Sequence, residues 1–296
     1  MSVDVFRAAR ATLGEGACWD PRLDALVWVD ILERQVHVST REATRSYATP
    51  AHVGSAVPRA GGGLLLAMGC SFATLDLDDG VVEVVARVPG EPARIRMNDG
   101  ATDPAGRFWA GTMAYDEAPG AGALYRLDAP DAAACMVERV TISNGVGWSP
   151  DGERMFYVDT PTRTIAVFAF DVERGTLGPR AVHVDTSALG GVPDGLTMDA
   201  DGNVWVAFWD GAAVRCFSGA DGALLEEIPV PVSRPTKCAF GGPGLRELLI
   251  TTAREGLSDE QLAAEPLAGS VLVATPGVAG RPPVPAVLHV APEAIA

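Results

Sequence analysis

Four polar side chains stand where a purely structural residue has little reason to be. Glu15 lies between two glycines, just ahead of Ala17-Cys18-Trp19. Asn98 lies in Arg96-Met97-Asn98-Asp99-Gly100, Asn144 in Ile142-Ser143-Asn144-Gly145, and Asp194 in Pro193-Asp194-Gly195. Each is followed by glycine directly or one residue on. Brought to one point, two carboxylates and two amides form an all-oxygen donor set, which hard or borderline divalent cations prefer. An ion held there with open positions could polarise a carbonyl and lower the pKa of a bound water. Taken singly, each could be a tight turn and nothing more, since Asn and Asp before glycine favour turns.

Spacing argues for convergence. Short apolar strands recur along the chain: Leu26-Val27-Trp28-Val29, Leu64-Leu65-Leu66-Ala67, Phe108-Trp109-Ala110-Gly111, Met155-Phe156-Tyr157-Val158, Val204-Trp205-Val206-Ala207 and Leu248-Leu249-Ile250-Thr251. Anchored on Trp28, Leu66, Trp109, Tyr157, Trp205 and Ile250, the steps are 38, 43, 48, 48 and 45 residues. Three copies share a lead-in, Asp103-Pro104-Ala105-Gly106, Ser149-Pro150-Asp151-Gly152 and Asp199-Ala200-Asp201-Gly202. A weak period in the forties with room for four short strands is the mark of a β-propeller. Glu15, Asn98, Asn144 and Asp194 precede their anchors by 13, 11, 13 and 11 residues. With the anchored strands read as the inner strands of a ring, near-equal offsets turn all four side chains toward the mouth of the central channel.

The fold expected is therefore all-β, a six-bladed β-propeller with four-stranded blades. It is expected to run as a single domain over residues 1–296, because blades bury their faces only against one another. A pair of β-sandwiches would not produce six similar strands. Composition agrees: 33 glycines and 22 prolines, spread throughout, break long helices. Seven Asp-Gly dipeptides, at Asp79, Asp99, Asp151, Asp194, Asp201, Asp210 and Asp221, are hairpin signals. The one helix-like stretch, Ser258 to Ala264 with Ser258 as N-cap, reads as a surface insertion.

Charge narrows the partners. Of 296 residues, 23 are Lys or Arg and 38 are Asp or Glu, a net charge of −15. Such a chain is unsuited to nucleic-acid backbones and to anionic membrane surfaces. The uncharged run from Ala60 to Leu75 has 16 residues, short of a membrane span. The opening Met1-Ser2-Val3-Asp4-Val5-Phe6 carries an early acid and no apolar stretch, unlike a secretory signal. The five cysteines, Cys18, Cys70, Cys135, Cys216 and Cys238, form no CxxC pair and read as small buried hydrophobes in a reducing, cytoplasmic setting. Signatures of other chemistries are missing: no GxSxG, no P-loop, no HExxH and no GxGxxG. The four histidines are scattered, and His37 and His289 alternate with apolar residues as solvent-facing strand positions do.

With these motifs in place, the chain resembles the SMP-30/gluconolactonase/LRE family over nearly its whole length. The resemblance is carried by Leu13-Gly14-Glu15-Gly16 with Trp19, by Arg96 to Gly100, by Asp103 to Arg107 with Ala110-Gly111-Thr112-Met113, and by Gly122-Ala123-Leu124-Tyr125. It continues through Ile142 to Gly145, Pro193-Asp194-Gly195, Cys238 to Gly242 and Thr251 to Leu257. It implies a six-bladed propeller that hydrolyses sugar lactones with one divalent metal ion: Ca, Zn, Mn, Mg or Fe. By motif it assigns Glu15, Asn144 and Asp194 as metal ligands and Asp194 also as general base. Arg96 and Asn98 are implied as substrate contacts, Asn98 able to approach the metal through water. A further substrate-contacting acid falls on Asp116, where the family often has Glu. Relatives usually carry proline after Gly16, where this chain has Ala17-Cys18, placing a thiol near the ligand loop. The loop from Ala114 to Ala121 is expected to lid the pocket.

The activity expected is metal-dependent opening of an aldonolactone, with a small-molecule sugar lactone as the partner. Two rivals stand beside it. An organophosphate-type or other ester hydrolase on the same scaffold would favour an apolar pocket, against Arg96 and Asn98. A non-catalytic metal-binding propeller would bind an ion without turnover.

Overall fold

In the computed structural model, residues 2–288 are described. They form six antiparallel four-stranded sheets arranged as the blades of a propeller. The first blade comprises Gly14–Asp20, Ala25–Asp30, Gln35–Ser39 and Thr44–Ala48, from channel to rim. The inner strands of the next four blades are Val53–Pro58, Ile95–Thr102, Ser143–Trp148 and Val192–Met198. The sixth blade joins the two ends of the chain. Pro235–Gly241, Glu247–Thr252 and Val271–Ala274 come from the C-terminal part, and Val3–Arg7 adds the outermost strand, pairing Val3 with Ala274. Ladder hydrogen bonds between distant segments thus close the ring.

The strands repeated in the sequence are the second strands of the blades. Trp28, Leu66, Trp109, Tyr157, Trp205 and Ile250 all sit there, buried between neighbouring blades. The expectation that the anchored strands were the innermost is corrected by one position. Second strands are covered on both faces and read as continuous apolar runs, whereas inner strands line a channel and carry polar residues. The four candidate side chains consequently lie within the inner strands rather than ahead of them.

The repeated lead-ins are ties. Asp103 and Asp199 are fully buried, and each accepts a hydrogen bond from the indole Nε1 of its own blade's tryptophan, Trp109 or Trp205, at 3.0 Å. Five of the seven Asp-Gly pairs lie in turns between strands, at 79, 151, 201, 210 and 221, while Asp99 and Asp194 lie in inner strands. Asp259–Ala264 is helical, with Ser258 and Gln261 forming a reciprocal capping box. Of the cysteines, Cys70, Cys216 and Cys238 are buried, but Cys18 is half-buried and Cys135 exposed. His37 is half-buried, stacked 4.1 Å from Trp28 and bonded to Ser46, while His289 lies outside the described residues. Among the described residues no helix is long and apolar enough to cross a membrane.

Candidate active site

All six inner strands carry an irregularity of register at the same level. It falls between Glu15 and Cys18, Val53 and Ser55, Met97 and Gly100, Ser143 and Val146, Pro193 and Leu196, and Pro235 and Lys237. A regular strand alternates its side chains between two faces, and a bulge breaks the alternation and re-aims them. Here it turns Glu15, Asn98, Asn144 and Asp194 into the channel. The glycines beside them allow the inner strands to crowd together. A methyl group on Gly195 would fall 2.6 Å from Lys237 Cβ, and one on Gly54 would fall 2.6 Å from Asn98 Cα.

These four residues and Arg96 line a cavity of about 450 Å³ at one end of the channel, with Glu117, Thr160, Trp209, Arg234 and Glu255 among its other walls. Asp116 is not part of that lining. Its carboxylate accepts the Ala118 amide at 3.2 Å and faces outward, so the acid brought to the cavity from this loop is its neighbour Glu117. Glu117 adopts a left-handed backbone (φ 54°). Of the Ala114–Ala121 segment Glu117 reaches the cavity wall, beside Met113 of the preceding strand.

The amides are oriented by a continuous network. Thr160 Oγ1 donates to Pro193 O at 2.9 Å and therefore accepts from Asn144 Nδ2, at 2.8 Å. Asn144 Oδ1 is thus turned away from Thr160. It accepts from Asn98 Nδ2 at 2.9 Å, which also donates to Ser143 O at 2.8 Å. Asn98 Oδ1 accepts from Arg96, whose guanidinium also donates to Met97 O at 3.1 Å. The strands themselves are held from behind. The carboxylate of Asp159 accepts the amides of Thr141 and Ile142 ahead of Asn144, and that of Asp30 accepts those of Thr12 and Leu13 ahead of Glu15.

Electrostatics separate Glu15 and Asp194 from ordinary carboxylates. Both are 4–5% exposed. Burial, reinforced by repulsion from Asp99, pushes Glu15 up to about 8. Burial, together with Glu15 and Asp99, holds Asp194 well above the carboxylate range. Asp194 Oδ1 is buried without a hydrogen-bond partner. Two desolvated carboxylates that repel each other, one with an orphaned oxygen, beside an amide oxygen of fixed direction, suit a hard divalent cation. Glu15, Asn144 and Asp194 are the residues able to hold it, and Asn98 stands beside them. Cys18 points elsewhere: it lines a separate chamber further down the channel, and burial pushes its thiol up to about 12.

Several residues of this region escaped the sequence reading. Glu117 and Glu255 come from loops outside the repeat. Thr160 and Arg234 follow no polar-glycine pattern, and Lys237 takes the channel position on the sixth blade behind Pro235-Thr236. The repeat period pointed to the sixth inner strand, but lysine is not a metal donor and so gave no signal.

The comparisons with known proteins agree with the fold. The chain matches the family described as SMP-30/Gluconolactonase/LRE-like region over residues 13–254, and it belongs to that family. Regucalcin of Gallus gallus is 33% identical over 293 residues, covering 96% of this chain and 98% of that one. The solved structure of a calcium-binding protein, regucalcin, from Agrobacterium tumefaciens superposes with a TM-score of 0.91 at 30% identity, covering 96% and 97% of the two chains. That of a luciferin-regenerating enzyme gives 0.90, also at 30% identity, covering 97% and 99%.

Proposed function

We propose that the protein is a metal-dependent lactonase that opens sugar lactones to their aldonic acids. The observation that carries the reading is the convergence of Glu15, Asn144 and Asp194, with Asn98 and Arg96, on the wall of one cavity. Membership of a family named for gluconolactonase supports the reaction class, and a relative described as calcium-binding supports a divalent ion. Glu15, Asn144 and Asp194 would hold that ion. When bound, it would lower the pKa of a water and offset charge growing on the lactone carbonyl oxygen.

The chain's own residues do the rest. Asp194 accepts a proton from the water as its oxygen bonds to the carbonyl carbon. The ring C–O bond then breaks, and the proton passes to the departing alkoxide, so that the aldonic acid leaves with all atoms accounted for. Arg96 offers a planar fork of donors, and Asn98, whose Nδ2 is committed to Ser143 O and Asn144 Oδ1, offers the remaining acceptor capacity of its Oδ1; together they suit the hydroxyls of a sugar ring. Glu117 takes over the acceptor role first read onto Asp116, because Glu117 is the residue at the cavity wall. An alkyl lactone would leave these groups unmatched, at a cost in selectivity. The setting proposed is the cytoplasm, with no nucleic-acid or membrane partner.

The test is turnover of pentonic and hexonic acid lactones by chelator-treated protein, repleted with Ca²⁺, Zn²⁺, Mn²⁺, Mg²⁺ or Fe²⁺ one at a time and corrected for spontaneous opening. Activity that disappears on chelation and returns unequally among metals is expected. Full activity in metal-free protein would refute the metal mechanism. Tight binding of an ion with no turnover of any lactone would leave a binding protein instead.

A further inference from the structure

Directly beyond Asn98 the channel holds a second set of charges that the proposed reaction does not use. Asp99, from the third inner strand, meets Lys237, from the sixth, across the channel. Their side chains are 1% and 5% exposed. Lys237 Nζ donates to Asp99 Oδ1, and also to Gly100 O at 3.1 Å. The Gly100 amide adds a third contact, donating to Asp99 Oδ1 at 2.7 Å. The two contacts to Asp99 engage one oxygen: Asp99 Oδ2 is buried with no partner, as is Ser55 Oγ on the second inner strand.

This pair is not isolated from the site. Asp99 follows Asn98 in the same inner strand, and Lys237 packs against Gly195, the residue after Asp194, so closely that a methyl group on that glycine would fall 2.6 Å from Lys237 Cβ; both charges are felt at Glu15 and Asp194. The desolvated space therefore contains three carboxylic acids, Glu15, Asp99 and Asp194, and two cations, Arg96 and Lys237, a formal sum of −1 once every acid has given up its proton to a bound cation. An unpaired carboxylate in such a space is strongly unfavourable and attracts any available cation. Without the ammonium, Asp99 would be that carboxylate. Its free oxygen and the Ser55 hydroxyl would offer further hard donors to a divalent ion.

We propose that Lys237 is an internal counter-cation that reserves the channel for one divalent ion: by neutralising Asp99 it withholds a third carboxylate from the metal held at Glu15, Asn144 and Asp194. Lys237 is thus a positioning residue, acting on the ion through the charge of Asp99. The inference rests on the metal-binding reading above and adds to it what sets affinity and stoichiometry.

The experiment is calorimetric titration of Mn²⁺ into chelator-stripped, full-length protein, comparing the wild type with Asp99→Asn, Lys237→Met and the double variant. The cluster's formal charge in these four is −1, 0, −2 and −1. A single charge at this range in a partly desolvated site changes affinity by about tenfold or more. Asp99→Asn is expected to weaken Mn²⁺ binding by about that factor. Lys237→Met is expected to tighten it by a similar factor or to take up a second ion. The double variant is expected within about threefold of the wild type. If Lys237→Met does not fold, Asp99→Asn against the double variant carries the test, since they differ only in the ammonium and the double should bind more tightly. Equal affinities across a series whose wild type binds Mn²⁺ would overturn this inference alone, as would a double variant as weak as Asp99→Asn. A wild type that takes up neither Mn²⁺, Ca²⁺ nor Zn²⁺ would overturn both this inference and the metal reading.

Discussion

At one end of the central channel four of the six inner strands present the oxygens of Glu15, Asn98, Asn144 and Asp194. A few residues further along, the inner strands present Ala17, Val57, Val146, Leu196 and Cys238 around a smaller chamber of about 180 Å³. The far end is also closed over. The segment from Ala279 to Val287 runs across it and bonds to blade after blade: Ala279 O accepts the Ala200 amide at 2.8 Å, Gly280 N donates to Leu245 O at 2.7 Å, and Arg281 donates to Ser149 O and Pro150 O at 3.2 and 3.1 Å. Ala286 N then donates to Pro58 O at 2.7 Å and Val287 N to Gly106 O at 2.7 Å. One set of strands thus supplies an end that carries the candidate site and an end closed by a strap. The difference arises at the bulges: before them polar side chains turn inward, and beyond them regular alternation returns apolar ones to the axis. Chemistry should therefore be sensitive at the first end, and stability at the second.

The largest effect should follow from Asp194→Asn. It removes a charge from the ligand set and the proton acceptor together, and kcat for a sugar lactone should fall by about 10²–10⁴, with thermal stability little changed. Near-native kcat in metal-loaded Asp194→Asn would break the assignment. At the opposite end, Trp148 packs edge-to-face on Trp109 and Phe170, both 5.8 Å away between ring centres. Trp148→Ala should cost about 3–5 kcal/mol of stability in a denaturant titration, while the folded fraction keeps its kcat within about twofold.

A pH series sharpens the same contrast. In metal-free protein Glu15 holds its proton up to about 8, whereas the unfolded chain releases it near 4.5. Across that window the folded state binds more protons, so metal-free stability should decline as pH rises from about 4.5 to 8, and the raised Asp194 acts in the same direction. Cys18, at the far end and pushed up to about 12, stays protonated throughout. Melting temperatures of chelated protein between pH 5 and 8.5 should fall, and Mn²⁺ should reduce the slope; a flat metal-free profile would contradict the charge arrangement.

Smaller changes are expected at the edges of each end. Arg96→Ala should lower kcat/KM for hexonolactones by about tenfold more than for γ-butyrolactone, which has no hydroxyls to lose contact. Equal losses on both would remove Arg96 from sugar recognition. Arg281→Ala deletes two hydrogen bonds of the strap and should cost about 1 kcal/mol in stability with turnover unchanged. A drop in turnover there would show that the two ends are coupled.

How much of this could be read from residues alone differs from element to element. The period of Trp28, Leu66, Trp109, Tyr157, Trp205 and Ile250 was legible because second strands, covered on both faces, are apolar through their middles. The same signal misplaced those strands by one, since period says which segments are alike and not which of them borders the channel. Glu15, Asn98, Asn144 and Asp194 were visible as polar groups beside glycines. The place of Glu117 at the cavity wall was not, because two adjacent acids in a loop outside the repeat carry no signal of which one faces the cavity.

Chain chemistry by itself therefore determined the blade repeat, the acidic balance and the oxygen-rich donor types, all of which depend on local composition and spacing. Only the closed ring decided which donors meet. Bulges repeated around six strands, an outer strand supplied by Val3–Arg7, and a lysine facing an aspartate from the opposite side of the channel are contacts between segments up to hundreds of residues apart. Side-chain direction in such a channel is set by the backbone of neighbouring blades, and burial then changes what each group does: it lifts Glu15 to about 8 and commits Lys237 to Asp99.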